Sequence, residues 1–151
     1  MEVAQSPKLL LIACSNRKTH TKGLIPAIER YDGVNFSVIH KLQREGKFPD
    51  NVHIKILSAK FGLIDAQTPI PYYNQRMDKH RAKTLHPQVM RELEKLAHTP
   101  YEEIFVNMGK RYLEAMTGYH AVFRGAKISF ADGGIGQRMA AMKYWLLIET
   151  S

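Results

Sequence analysis

Cysteine is nearly absent from this sequence. One residue, Cys14, in a chain of 151 excludes an internal disulfide and any zinc site built from several cysteines. It ends an apolar run, which suits a small buried hydrophobe better than a nucleophile. Long apolar runs are missing too: the longest, 9–14 and 144–148, fall far short of the roughly 20 residues of a bilayer span. The first follows a single Lys8 and leads at once into Asn16, Arg17 and Lys18, the wrong flanks for a secretory signal, so a cytoplasmic protein is expected. Neither a Walker sequence nor a Gly-x-Ser-x-Gly elbow occurs, which leaves nucleoside-triphosphate chemistry and an acyl-transfer triad without support. The seven histidines hold no pair at i and i+4. Neither a metal nor a cofactor is therefore expected. Acidic residues are scarce as well: 14 against 22 Lys plus Arg, for a net charge of +8. That balance favours an anionic partner such as nucleic acid, although solubility alone could account for it.

What is present describes a folded domain. Apolar residues at 44% and charged residues at 24% are ordinary for a globular chain, and the length suits one domain over 1–151. Residues 8–14 form an apolar run without helical period, a fully buried strand. Residues 26–31 suggest a helical turn, and Val34, Val38, Ile39 and Leu42 lie on one face of a helix that stops at Gly46. Val52, Ile54 and Ile56 alternate in a second strand over 52–57. Residues 58–74 read as one loop, long enough to suggest a function. A short helical piece over 79–84 precedes a helix opening at Pro87 and running to His98. A third strand (104–108), a short helix after Gly109, a fourth strand (127–131) and a helix carrying Ile135, Met139, Met142 and Leu146 complete the order. Strands alternating with helices predict an α/β fold, a sandwich on a mainly parallel four-stranded sheet. In such sheets ligands bind beyond the carboxyl ends of the strands.

Those ends are all polar, basic or glycine-containing: 15–18, 58–62, 107–110 and 132–138. Asp132, Gly133, Gly134, Ile135 and Gly136 join a strand to a helix, where free amides could face an anion or simply form a tight turn. Ser15, Arg17 and Lys18 could hold a phosphate or merely be solvated. Tyr72 and Tyr73, stiffened by Pro71, could stack on a base or pack in the core.

Taken in order, Ala13-Cys14-Ser15 with Lys18, then Leu57 to Leu63, then Ile70 to Met77, then Asn107, Gly109, Lys110 and Tyr112, then Gly134-Ile135-Gly136 with Trp145-Leu146 form a pattern spanning nearly the whole chain. The pattern resembles that of YaaA-like peroxide-stress proteins, their short bacterial relatives, and a domain of archaeosine tRNA-guanine transglycosylases. The resemblance implies a three-layer α/β/α fold like that of uracil-DNA glycosylases. This chain has Asn74 where those relatives commonly have Asp, and Phe61 where they often have Tyr. An Asn amide can orient water but cannot be a general base, so Asp132 becomes the leading acid.

With the basic charge, the resemblance implies a base-excising enzyme directed at DNA, hydrolysing the N-glycosidic bond of a modified base. In that reading Tyr73 stacks on the base, Asp132 opposes the positive charge on the sugar, and Asn74 positions water. Ser15, Lys18 and Lys60 hold phosphates, with Ser58 and Gly134 at the substrate and Arg17, Lys110 and Arg138 on the nucleic-acid backbone. Lys60 is also a candidate Schiff-base nucleophile. The alternative is a nucleic-acid-binding stress protein of the YaaA type without catalysis, and a third reading is an enzyme acting on a free nucleoside.

Overall fold

The computed structural model describes residues 5–148; the ends of the expected 1–151 domain lie outside the described residues. The order is β1 (Lys8–Ala13), β2 (Ile25–Pro26), α1 (Ala27–Arg30), α2 (Val34–Arg44), β3 (Val52–Ser58), β4 (Gly62–Asp65) and β5 (Pro69–Ile70), then α3 (Lys79–Leu96), β6 (Glu103–Asn107), α4 (Lys110–Ala115), α5 (Tyr119–Val122), β7 (Lys127–Phe130) and α6 (Ile135–Ile148). The main sheet has five strands in the order β4-β3-β1-β6-β7, parallel throughout except for β4.

Why β1 is apolar without a break follows from its place at the centre of that sheet, covered on both sides. Leu10 and Ile12 pack with Phe36, Ile39 and Leu42 of α2 and with Met142, Trp145 and Leu146 of α6. Leu9 and Leu11 face the opposite layer, where α3 contributes Ala82, Leu85, Val89 and Leu93 and α5 contributes Tyr119. Helices thus cover both faces. Among the described residues no helix is long and apolar enough to cross a membrane.

Two sequence expectations are corrected. The sheet has five strands rather than four, because residues 58–74 are not one loop: β4 folds back on β3 as an antiparallel hairpin, with Leu63 opposite Leu57 and Gly62 opposite Ser58. Gly62 has φ +78°, and a Cβ there would stand 2.0 Å from Gln88 Oε1, so glycine alone fits this corner. Farther along the same stretch, β5 pairs with β2. The second correction concerns Pro87, which lies inside one 18-residue helix rather than at the start of a new one. Asp78 begins that helix by accepting from the Arg81 amide at 2.7 Å. Burial of Ala82, Leu85, Val89 and Leu93 along one face holds it together through the proline. The Lys83 carbonyl, which loses its helical donor to Pro87, belongs to an exposed residue that water can serve.

Candidate functional site

From β1 the chain crosses to β3 on one side, and β6 is later added on the other, so the loops after β1 and β6 diverge. This switch point is where an open α/β sheet forms a crevice. Cys14 leaves β1 here, and Ser58 and Asn107 end the neighbouring strands.

Ser58 is fully buried. Its Oγ accepts the amides of Lys60 (3.1 Å) and Phe61 (3.0 Å), fixing the hairpin turn, and lies 2.9 Å from Tyr73 Oη. With both lone pairs engaged by amides, the serine hydroxyl donates to Tyr73. Tyr73 Oη is in turn 2.5 Å from Tyr31 Oη. The two tyrosines hold two protons but only one bond between them. Ser58 also reaches Tyr31, so the three hydroxyls share their protons within one buried cluster. Burial, and after it the neighbouring Cys14 sulfur, pushes both phenols well above the ordinary tyrosine value, so both remain neutral donors. Cys14 Sγ lies 3.2 Å from Tyr112 Oη, a third phenol raised first by burial and then by Cys14. Ser58→Ala should remove the acceptor of two turn amides and one phenol partner at once, lowering stability by about 2–3 kcal/mol in urea unfolding. A loss under about 0.5 kcal/mol would show that the turn holds without the hydroxyl.

Cations surround these phenols. Lys18 Nζ sits 4.5 Å from the centre of the Tyr73 ring and 6.0 Å from that of Tyr31, and donates to the Asn16 carbonyl at 3.3 Å. Lys60 Nζ is 5.5 Å from the Phe61 ring centre and 5.9 Å from that of Tyr73. Beneath them Arg30 is 0% exposed and donates to four backbone carbonyls, those of Thr19, Thr21, Gly23 and Ile70, at 2.6–3.1 Å. It ties the loop that follows β1 to β5. At the β6 corner, Arg138 approaches Gly109 so closely that a Cβ there would lie 3.3 Å from one guanidinium nitrogen, and its Nε is buried without a partner. Lys110 is exposed beside that glycine. Among the described residues none of these five cations forms a salt bridge with a carboxylate.

The structure brings Lys18, Lys60, Ser58 and Tyr73 into one cluster and sets Lys110 beside Arg138, but it changes several expected roles. Tyr73 is 4% exposed, with Lys18 over its face and the Phe61 ring edge-on at 5.4 Å, so it is not a platform for a base. Tyr72 is the open ring of the pair, stacked on His20 at 4.7 Å. Ser15 does not await a phosphate: its Oγ accepts from the Gly33 amide (3.1 Å) and donates to the Arg17 carbonyl (2.6 Å), capping the start of α2. Arg17 is exposed and 3.4 Å from Asp32. The turn before α6 is closed on itself, the Gly133 amide on Asp132 Oδ1 and the Gly134 amide on Gln137 Oε1, both at 2.9 Å. Gly134 therefore offers no free amide to an anion. Asp132 and Asn74 are both exposed, and Asp132 follows a strand two places removed from β1.

Tyr31 and Arg30 were not singled out by sequence, and Tyr112 only as a landmark of the resemblance, without a role. Arg30 closes an apparent helical turn, and nothing local marks its burial. Clefts elsewhere include one of about 560 Å³, lined by His53, Lys55, Asp65 and Tyr101 among others, and one of about 450 Å³ beside Gln88 and Leu96.

An open, mostly parallel five-stranded sheet with helices on both faces, cationic and phenol-lined at its switch point, defines an α/β domain. The chain belongs to DUF6884, a family of unknown function whose model matches residues 9–144. Its fold is similar to that in the crystal structure of AF0587, a protein of unknown function, at a TM-score of 0.55 and 11% identity. The match covers 93% of this chain and 44% of that one, so the chain spans less than half the length of that neighbour. No curated protein matches the sequence.

Proposed function

We propose that this protein binds nucleic acid, DNA foremost, along the carboxyl edge of its sheet and hydrolyses the N-glycosidic bond of a modified nucleotide there. The observation that carries the reading is the set of cations without carboxylate partners at the carboxyl ends of the strands, Lys18 and Lys60 beside neutral phenols and Lys110 and Arg138 at the β6 corner. Unpaired cations lower the free energy of a polyanion, and phenolic protons suit phosphate or carbonyl oxygens. The sequence resemblance to YaaA-like proteins, and through it to uracil-DNA glycosylases, supports the same reading. Tyr72, stacked on His20, replaces Tyr73 as the aromatic face for an extruded base. Asp132 opposes the charge that develops on the sugar, and Asn74 positions water.

Incubation with duplexes carrying different modified bases, followed by alkali, tests the reaction: strand breaks at the modified site support excision. Binding without release from any of them would favour the second reading, a non-catalytic nucleic-acid-binding protein. That reading draws on the open positions of Asp132 and Asn74. Affinity should fall steeply with salt, because each phosphate contact releases condensed counterion. Lys110→Ala and Arg138→Ala should each weaken binding about equally on every sequence, as phosphate contacts do. A loss confined to one sequence would instead make these residues readers of bases.

A further inference from the structure

Two lysines flank the phenol cluster, and their surroundings are opposite. Lys60 is exposed and keeps its water. Lys18 is 8% exposed; the one hydrogen bond of its ammonium among the described residues goes to the Asn16 carbonyl, and the Tyr73 and Tyr31 ring centres lie 4.5 and 6.0 Å away. An ammonium so placed has lost solvent without gaining a carboxylate. Burial pushes Lys18 below the ordinary lysine value, with Cys14 pulling the other way to a lesser extent. An amine of this kind is a nucleophile toward carbonyl carbon. Beside it stands the hydrogen-bonded Tyr31–Tyr73 pair, whose phenols can donate a proton.

Resting on the nucleic-acid reading above, we propose that Lys18, rather than Lys60, condenses with the C1′ aldehyde of an abasic deoxyribose and that the protein thereby cleaves the strand at abasic sites. The neutral Lys18 amine adds to C1′. One proton of the adding nitrogen passes to the carbinolamine oxygen, which takes a second from the tyrosine pair and leaves as water, and solvent returns a proton to the phenolate. The resulting iminium makes the C2′ hydrogen acidic. That proton passes to water, its electron pair forms the C2′–C3′ double bond, and the C3′–O bond breaks with its electrons on the departing phosphate. Water then hydrolyses the conjugated imine and returns Lys18. Neither an oxidant nor a reductant is consumed.

The experiment uses a duplex with a single preformed abasic site, incubated with the full chain in the presence of sodium borohydride. The wild-type protein should give a denaturation-stable protein–DNA adduct, and peptide mapping should place the modified residue at Lys18. Lys18→Arg keeps a cation over the rings and should lose the adduct while still binding DNA, whereas Lys95→Arg, at an exposed position of α3 paired with Glu92, should form it normally. No adduct with wild type, an undiminished adduct with Lys18→Arg, or a map to another lysine would overturn the proposal. Because the substrate already lacks its base, such a failure would leave the excision reading intact. That reading fails separately, if no free base is released from modified DNA.

Discussion

Arg30→Leu should cost about 3–5 kcal/mol of stability, the largest effect expected of any single substitution in this chain. The guanidinium has no exposed surface and satisfies the carbonyls of Thr19, Thr21, Gly23 and Ile70. Leucine fills much of the volume but leaves these acceptors without donors, each at a cost on the order of 1–3 kcal/mol before the loop relaxes. Against a total of about 5–15 kcal/mol for a domain, the variant would be marginal, with a melting temperature lower by about 10 °C or more. Arg30→Lys should recover only part of the loss, since an ammonium cannot span four acceptors with the fixed fork of a guanidinium. Urea and thermal unfolding of the two variants check this. A loss below about 1 kcal/mol for Arg30→Leu would mean that water reaches the loop and that Arg30 does not organise it. The same loop carries Lys18 over the phenols, so a partly folded Arg30 variant should also lose affinity for DNA.

The second large effect concerns Asp132→Asn. In the folded protein Asp132 Oδ1 accepts the Gly133 amide at 2.9 Å, and an asparagine Oδ1 can accept the same bond. Stability should therefore change little. The substitution removes only the charge. If that charge opposes the cation growing on the sugar as the base departs, release should fall by about 100-fold or more while DNA binding is kept or slightly strengthened. Single-turnover base release by wild type and Asp132→Asn, with binding measured alongside, separates the two roles. Unchanged release from a folded Asp132→Asn protein would reduce Asp132 to a turn former and leave base release to other groups of the edge, Asn74 first among them.

The two predictions probe different levels of organisation, because Arg30 shapes the loop that presents a cation and Asp132 acts by charge alone. Their readouts are also independent. Stability should move with Arg30 and stay with Asp132, while release per folded molecule should move with Asp132.

The sequence by itself determined β1, β3, β6 and β7, because the periodicity and length of an apolar run are set by which faces of the backbone are buried, and that information is local. It also determined that the polar segments cluster where strands end, since chain order alone puts 15–18, 58–62, 107–110 and 132–138 after strands. The helices carrying Val34 to Leu42 and Ile135 to Leu146 were legible for the same reason. Only the tertiary structure decided the rest. β4 is four residues long and follows β3 by three, too short to show a period, and it exists because an open edge of β3 accepts it. The continuous α3 runs through Pro87 because the buried face on both sides of the proline outweighs one lost hydrogen bond. Ser58, Tyr73 and Tyr31 meet across 15 and 42 residues of sequence, and Cys14 meets Tyr112 across 98. Local sequence cannot encode which polar side chains give up water, because that depends on distant segments arriving to replace it. Arg30 reads as one more cation in a basic chain, and only the folded loop around it makes it a buried one.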